Sequence, residues 1–193
     1  MASINVSPLS AEPEKRGVLC FDVNEQGLIA IGQTGSQDKE ICVYTSQGEF
    51  LYGYTFNCTQ SFCVEWDEQH VNIYFIRSDV IISLDSDGNI LDIKAVQDTI
   101  DNNSYRNSLL YSTTRTVGNT TYLIRNDMGI FNWIATSYSQ IVTIDATGSE
   151  SIIYDVNSMQ LTKTIVTISL ICVFVFVAVA VVIWQFIKLR RGN

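Results

Sequence analysis

Histidine is almost missing from this chain, and His70 is its single imidazole. Nucleophile–base pairs of the Ser-His-Asp or Cys-His kind therefore have one candidate base. It stands in Asp67-Glu-Gln-His70, a polar stretch between apolar segments that reads as an exposed turn. No two cysteines are spaced C-x-x-C and His70 has no Cys or His close by, which argues against a zinc site. No G-x-x-x-x-G-K-[ST], G-x-S-x-G or H-E-x-x-H occurs either. Proline is limited to Pro8 and Pro13. Basic residues are also sparse: nine precede residue 165 against all twenty acidic ones, a net of −11. Such a field repels phosphate backbones, which excludes a nucleic-acid partner.

Charge disappears altogether between Ile165 and Ile187. This run of IVTISLICVFVFVAVAVVIWQFI is long enough, at about 1.5 Å per helical residue, to cross a hydrocarbon core of about 30 Å. It lacks the polar stripe that a helix on the surface of a soluble protein carries. A single transmembrane helix over 165–187 is the reading, making the lipid bilayer the first partner. Trp184 stands near one boundary as an interfacial anchor, followed by Lys188, Arg190 and Arg191.

The remainder divides by composition. Residues 1–16 hold both prolines and read as a disordered lead-in; 17–157 as a β-repeat domain; 158–164 as a linker; 188–193 as a basic tail. Within 17–157, short apolar runs alternate with Gly, Asn, Asp and Ser. Strands are expected at 18–23, 28–32, 40–45, 50–56, 62–66, 71–77, 80–85 and 90–96, then at 109–114, 121–125, 129–135, 140–145 and 151–156. Residues 97–108 have no periodic apolar face and read as a loop or a short helix. The fold class is thus all-β and antiparallel, with one C-terminal transmembrane α-helix.

Three segments repeat one pattern. Ile41-Cys-Val-Tyr-Thr-Ser-Gln-Gly48, Ile81-Ile-Ser-Leu-Asp-Ser-Asp-Gly88 and Ile141-Val-Thr-Ile-Asp-Ala-Thr-Gly148 each lead from a strand, through three polar residues and a Gly, into another apolar strand. Gly48, Gly88 and Gly148 supply the positive φ of a tight hairpin, and the Thr or Asp before them bonds the turn backbone. The pattern resembles the β-propeller repeats of the NHL and YWTD type. That resemblance implies blade-like sheets over 17–157, in a partial or open propeller of about three blades, and a scaffolding or recognition role. The YWTD motif itself is absent, its positions being Tyr44-Thr45, Leu84-Asp85 and Ile144-Asp145. Fewer blades fit than close a ring, leaving an open arc, a ring completed by association, or a plain β-sandwich.

Cys58 and Cys63 bridge if the domain sits in an oxidising compartment, or remain thiols that serve as small apolar groups. Three basic residues flank one end of the span and only Lys163 the other, which places the C-terminus in the cytoplasm and the β domain outside. No apolar signal segment follows Met1, and that argues the other way. The triplets beginning at Asn5, Asn57, Asn102 and Asn119 are N-glycosylation acceptors in a secretory route. Asp85-Ser-Asp87-Gly-Asn89 opens like an EF-hand loop but lacks the closing acid, and Glu65, Asp67 and Glu68 around Trp66 read as a solvated face. No catalytic, cofactor or metal residue is assigned. The expectation is a non-enzymatic, single-pass membrane-anchored module that binds a protein, a second copy or an extracytoplasmic ligand. The alternative is a divergent propeller-type hydrolase or lyase, which requires His70 to meet two or more of Asp79, Asp85, Asp127 and Asp145 in one concavity.

Overall fold

The computed structural model describes residues 5–34, 38–58, 60–135 and 137–191. Three antiparallel sheets and a C-terminal helix make up the described chain. The first sheet contains β1 (Val6–Pro8), β2 (Val18–Val23), β3 (Ile29–Thr34), β4 (Lys39–Tyr44) and β5 (Phe50–Phe56), in the order β1-β5-β4-β3-β2. The second runs straight through β6 (Phe62–Asp67), β7 (His70–Phe75), β8 (Val80–Leu84) and β9 (Ile90–Ala95). Helix α1 (Ile100–Tyr111) leads to the third sheet, of β10 (Thr114–Val117), β11 (Thr120–Arg125), β12 (Gln140–Ile144) and β13 (Glu150–Asp155). Helix α2 (Asn157–Arg191) follows β13 directly.

The first sheet is buried on both faces, and its sequence says why. In β4, Ile41-Cys-Val-Tyr44 is apolar without alternation, so successive side chains feed two different cores. Ile41 and Val43 join Ala30, Tyr54 and Phe56 against Val64, Ile73, Phe75 and Leu84 of the second sheet. Cys42 and Tyr44 join Phe21, Ile29 and Ile31 against Tyr122, Ile124, Ile141 and Tyr154 of the third. Edge-to-face rings close both seams: Phe56 lies 5.2 Å from Phe62 and 5.6 Å from Phe75, and Tyr44 lies 5.6 Å from Tyr154. The outermost strand β9, by contrast, is exposed along its whole length.

Four sequence expectations change. The lead-in is not wholly without structure, because Val6 and Leu9 find core to pack against and Val6–Pro8 pair with β5. Pro8 is tolerated there because an edge strand leaves one row of N–H groups without a ladder partner. Of the strand expected at 109–114, residues 109–111 are instead the end of α1, with Leu109 and Leu110 packed on the second sheet's core, and only Thr114 is in a strand, as the start of β10. Thr99 starts that helix by accepting the Asn102 N–H at 3.2 Å. The strand expected at 129–135 is a 3-10 helix, Gly129–Ile134, closed by Asn132 Oδ1 accepting the Met128 N–H at 2.7 Å. The linker at 158–164 is helical, so α2 runs unbroken out of the domain.

Each of the three repeated segments forms the hairpin between the last two strands of its sheet. Thr45, Asp85 and Asp145 each accept the N–H groups two and four residues on, at 2.8–3.2 Å. Gly48, Gly88 and Gly148 adopt φ of +81° to +83°. A fourth copy lies between β2 and β3, where Asn24 accepts from the Gln26 and Leu28 N–H groups and Gly27 adopts φ +79°.

Candidate functional site at the sheet junction

Phe21-Asp22-Val23 puts a carboxylate inside an otherwise apolar strand, and that carboxylate joins all three sheets. Asp22 Oδ1 accepts Arg115 Nε of β10 at 2.7 Å, and Oδ2 accepts the Trp66 backbone N–H of β6 at 2.7 Å. The Arg115 guanidinium also lies over the Phe21 ring, 5.5 Å from its centroid, and donates to Thr114 O. Two donors at this junction, Arg115 Nη2 and Trp66 Nε1, are buried without a hydrogen-bond partner. Glu65, next to Trp66, is half-buried and accepts a hydrogen bond from the Tyr105 hydroxyl of α1. Burial, then the nearby Asp22 and Asp67, raise its carboxyl pKa above the ordinary range. The solvated face expected around Trp66 is therefore partly a buried one.

A cleft of about 450 Å³ opens at this junction, with Asp22 and Trp66 in its lining and Glu25, Gln26 and Glu68 along its sides. The turns that form it, β2–β3 and β6–β7, lie at one end of their sheets. Its charge is that of Asp22, Glu25 and Glu68, with the one lining acid that is buried already paired to Arg115. Such a lining favours a cationic or amine-bearing group.

The residues required for hydrolase chemistry have separate occupations. His70 is exposed at the start of β7, and Asp79 holds Arg106 of α1 at 2.7 Å. Asp85 and Asp145 cap their own turns, and the hydrogen bonds they accept there, from Asn89 and Thr147 first, lower both carboxyl pKa values. The Asp127 carbonyl accepts from Asn157 at the start of α2. Among the described residues no group of three or more His, Cys, Asp or Glu is arranged to hold a metal ion.

All five cysteines are free thiols. Cys63 is packed in the core, where burial pushes its thiol pKa up to about 12, and Cys58 is half-buried, with Gln60 O near its Sγ. Of the tail residues, Lys188 lies over the Trp184 ring at 5.4 Å, while the Arg190 side chain is outside what the structure describes. The acceptor triplet at Asn57 includes Thr59, also outside the described residues; Asn119 is exposed in the β10–β11 turn. Sequence reasoning missed Asp22 and Arg115 because 93 positions separate them. The available signal was a lone acid within an apolar strand. No known family model and no curated protein matches the chain.

Proposed function

We propose that this chain is a single-pass membrane-anchored β-repeat module that offers a binding cleft at the end of its domain facing away from the bilayer. One observation carries the reading: the polarity of β2. Its first residue, Val18, exchanges backbone hydrogen bonds with Tyr138, and Gly17 just before it touches Gln160 of α2. Its last residue, Val23, lines the cleft. Six residues at about 3.3 Å each put roughly 20 Å of strand between anchor and cleft. A helix of 35 residues, apolar and exposed along its span, fits a transmembrane anchor by length and composition. The three up-and-down meanders and their shared turn support a propeller-type arrangement. The partner is a protein, or a second copy of this chain, presenting cationic groups to the acidic turns, and no catalytic step is assigned.

The test uses Trp66 as reporter. Detergent-solubilised chain is titrated with an Arg/Lys-rich decapeptide and with a Glu-rich control while indole emission is followed. Binding of the basic peptide alone, weakened at least about tenfold by Glu25→Lys with Glu68→Lys, is the expected result, since each reversal replaces attraction with repulsion. No response to either peptide, or an affinity that ignores both reversals, overturns the cleft as the binding face.

A further inference from the structure

The 3-10 helix Gly129–Ile134 carries Gly-Ile-Phe-Asn-Trp-Ile, with no charge, and turns two large side chains outward: Ile130 is 77% exposed and Trp133 83%. Isolated exposed apolar residues are ordinary. This pair is distinguished by where it sits. The segment leaves the domain after the buried Met128 and returns at Ser137, and the residues flanking it are tied to the first turn of α2. Asn157 Nδ2 donates to Asp127 O at 2.7 Å, Ser139 Oγ donates to Asn157 Oδ1 at 3.1 Å, and Gln160 Nε2 donates to Ser137 Oγ at 3.0 Å and to Tyr138 O at 3.3 Å. The exposed indole thus belongs to the collar of residues from which α2 departs.

The level of that collar follows from helix geometry. From Gln160 to Ile165, where the uncharged run begins, is about 8 Å of helix rise. The headgroup layer on each side of a bilayer is about 5 to 8 Å thick. A collar bonded to Gln160 therefore meets the outer edge of the headgroups. A second observation agrees. The far end of the span has Trp184, 62% exposed, with Lys188 over its ring, but α2 contains no aromatic residue between Asn157 and Phe174. The near boundary thus lacks the interfacial aromatic that spans commonly carry.

We propose that Trp133 and Ile130 insert into the headgroup layer of the membrane that α2 crosses, supplying the aromatic anchor of the near boundary from the domain instead of from the helix. The bilayer surface is the occupant of this patch, and this rests on the anchoring reading above. Indole suits the role because its ring is apolar while its N–H hydrogen-bonds at the wet boundary.

The test distinguishes failure of this contact from failure of the anchor. Full-length chain is reconstituted into phosphatidylcholine vesicles whose acyl chains are brominated close to the headgroups, and tryptophan quenching is compared for the parent chain, Trp133→Phe and Trp184→Phe. Trp133 is exposed, so its replacement leaves the core intact. With two of the three indoles at boundaries, each variant is expected to lose about half of the quenching. Loss in Trp184→Phe but full quenching in Trp133→Phe overturns the proposal while leaving the span in place; a protein partner would then be the occupant of the patch. Absence of quenching in all three removes the anchor and this contact with it.

Discussion

Asp22 is the residue whose removal should cost most for its size. Its side chain is 12% exposed and that of Arg115 17%, so the pair interacts largely out of water. Replacement by Ala leaves a buried guanidinium and the Trp66 N–H without their acceptor. Asp22→Ala is expected to destabilise the domain by about 3 kcal/mol, the usual penalty for stranding half of a buried pair. Denaturant unfolding in mild detergent measures it, and a loss below about 1 kcal/mol would show that the three sheets hold together without the junction. Asp22→Asn, which keeps one acceptor oxygen, should lie between the two. The same residue marks where reading the sequence stops. Period and composition tell that 18–23 is a buried strand, and the structure begins and ends it at those residues. They are silent on which cation, nearly a hundred residues away, the buried acid meets.

Strands and hairpins were legible because their signals are local. Phe50–Phe56 emerges with the expected bounds, and the three Gly-marked turns all form, since a positive φ and a capping side chain are decided within five residues. The 109–114 and 129–135 segments were misread because apolar content alone does not separate a strand from one or two helical turns. In the first, Leu109 and Leu110 are adjacent and pack as the end of a helix; in the second, a side-chain bond from Asn132 winds the chain. The hairpin turns differ in what surrounds them, and that yields a prediction. Gly148 has open space where a Cβ would stand, so Gly148→Ala should cost about 1 kcal/mol, the backbone penalty alone. At Gly48 the same Cβ would also collide with the Ile153 carbonyl of β13, so Gly48→Ala should cost roughly twice as much or more. Thermal unfolding of the two variants checks the difference. Equal losses would mean that the β4–β5 turn does not press on the third sheet.

For the whole molecule, the one helix among the described residues long and apolar enough to span a bilayer was readable because nothing else in the chain approaches its length and apolarity. The stacking of three sheets was not, because each seam joins side chains from distant strands. Orientation is a proposal: the basic flank at Lys188, Arg190 and Arg191 favours an outside β domain, and that reading carries its own expected outcome. Protease added to intact cells should remove the β domain and leave a membrane-protected fragment of α2. Complete protection on intact cells, with digestion in lysate, would reverse the orientation.

The unbroken passage from β13 into α2 has a mechanical consequence. Val156 alone separates strand from helix, and Asn157 and Gln160 bolt the first helical turn to the 127–138 segment. Rod and head are therefore joined without a flexible linker that could serve as a swivel. Transmembrane helices commonly lean about 20° from the bilayer normal. Pivoting at the collar, such a lean carries a point about 20 Å above it sideways by roughly 7 Å. For α2 as an anchor, an apolar run longer than the hydrocarbon core favours a lean whose size the interfacial residues fix, so the proposed cleft would be aimed in part by the lipid beneath it.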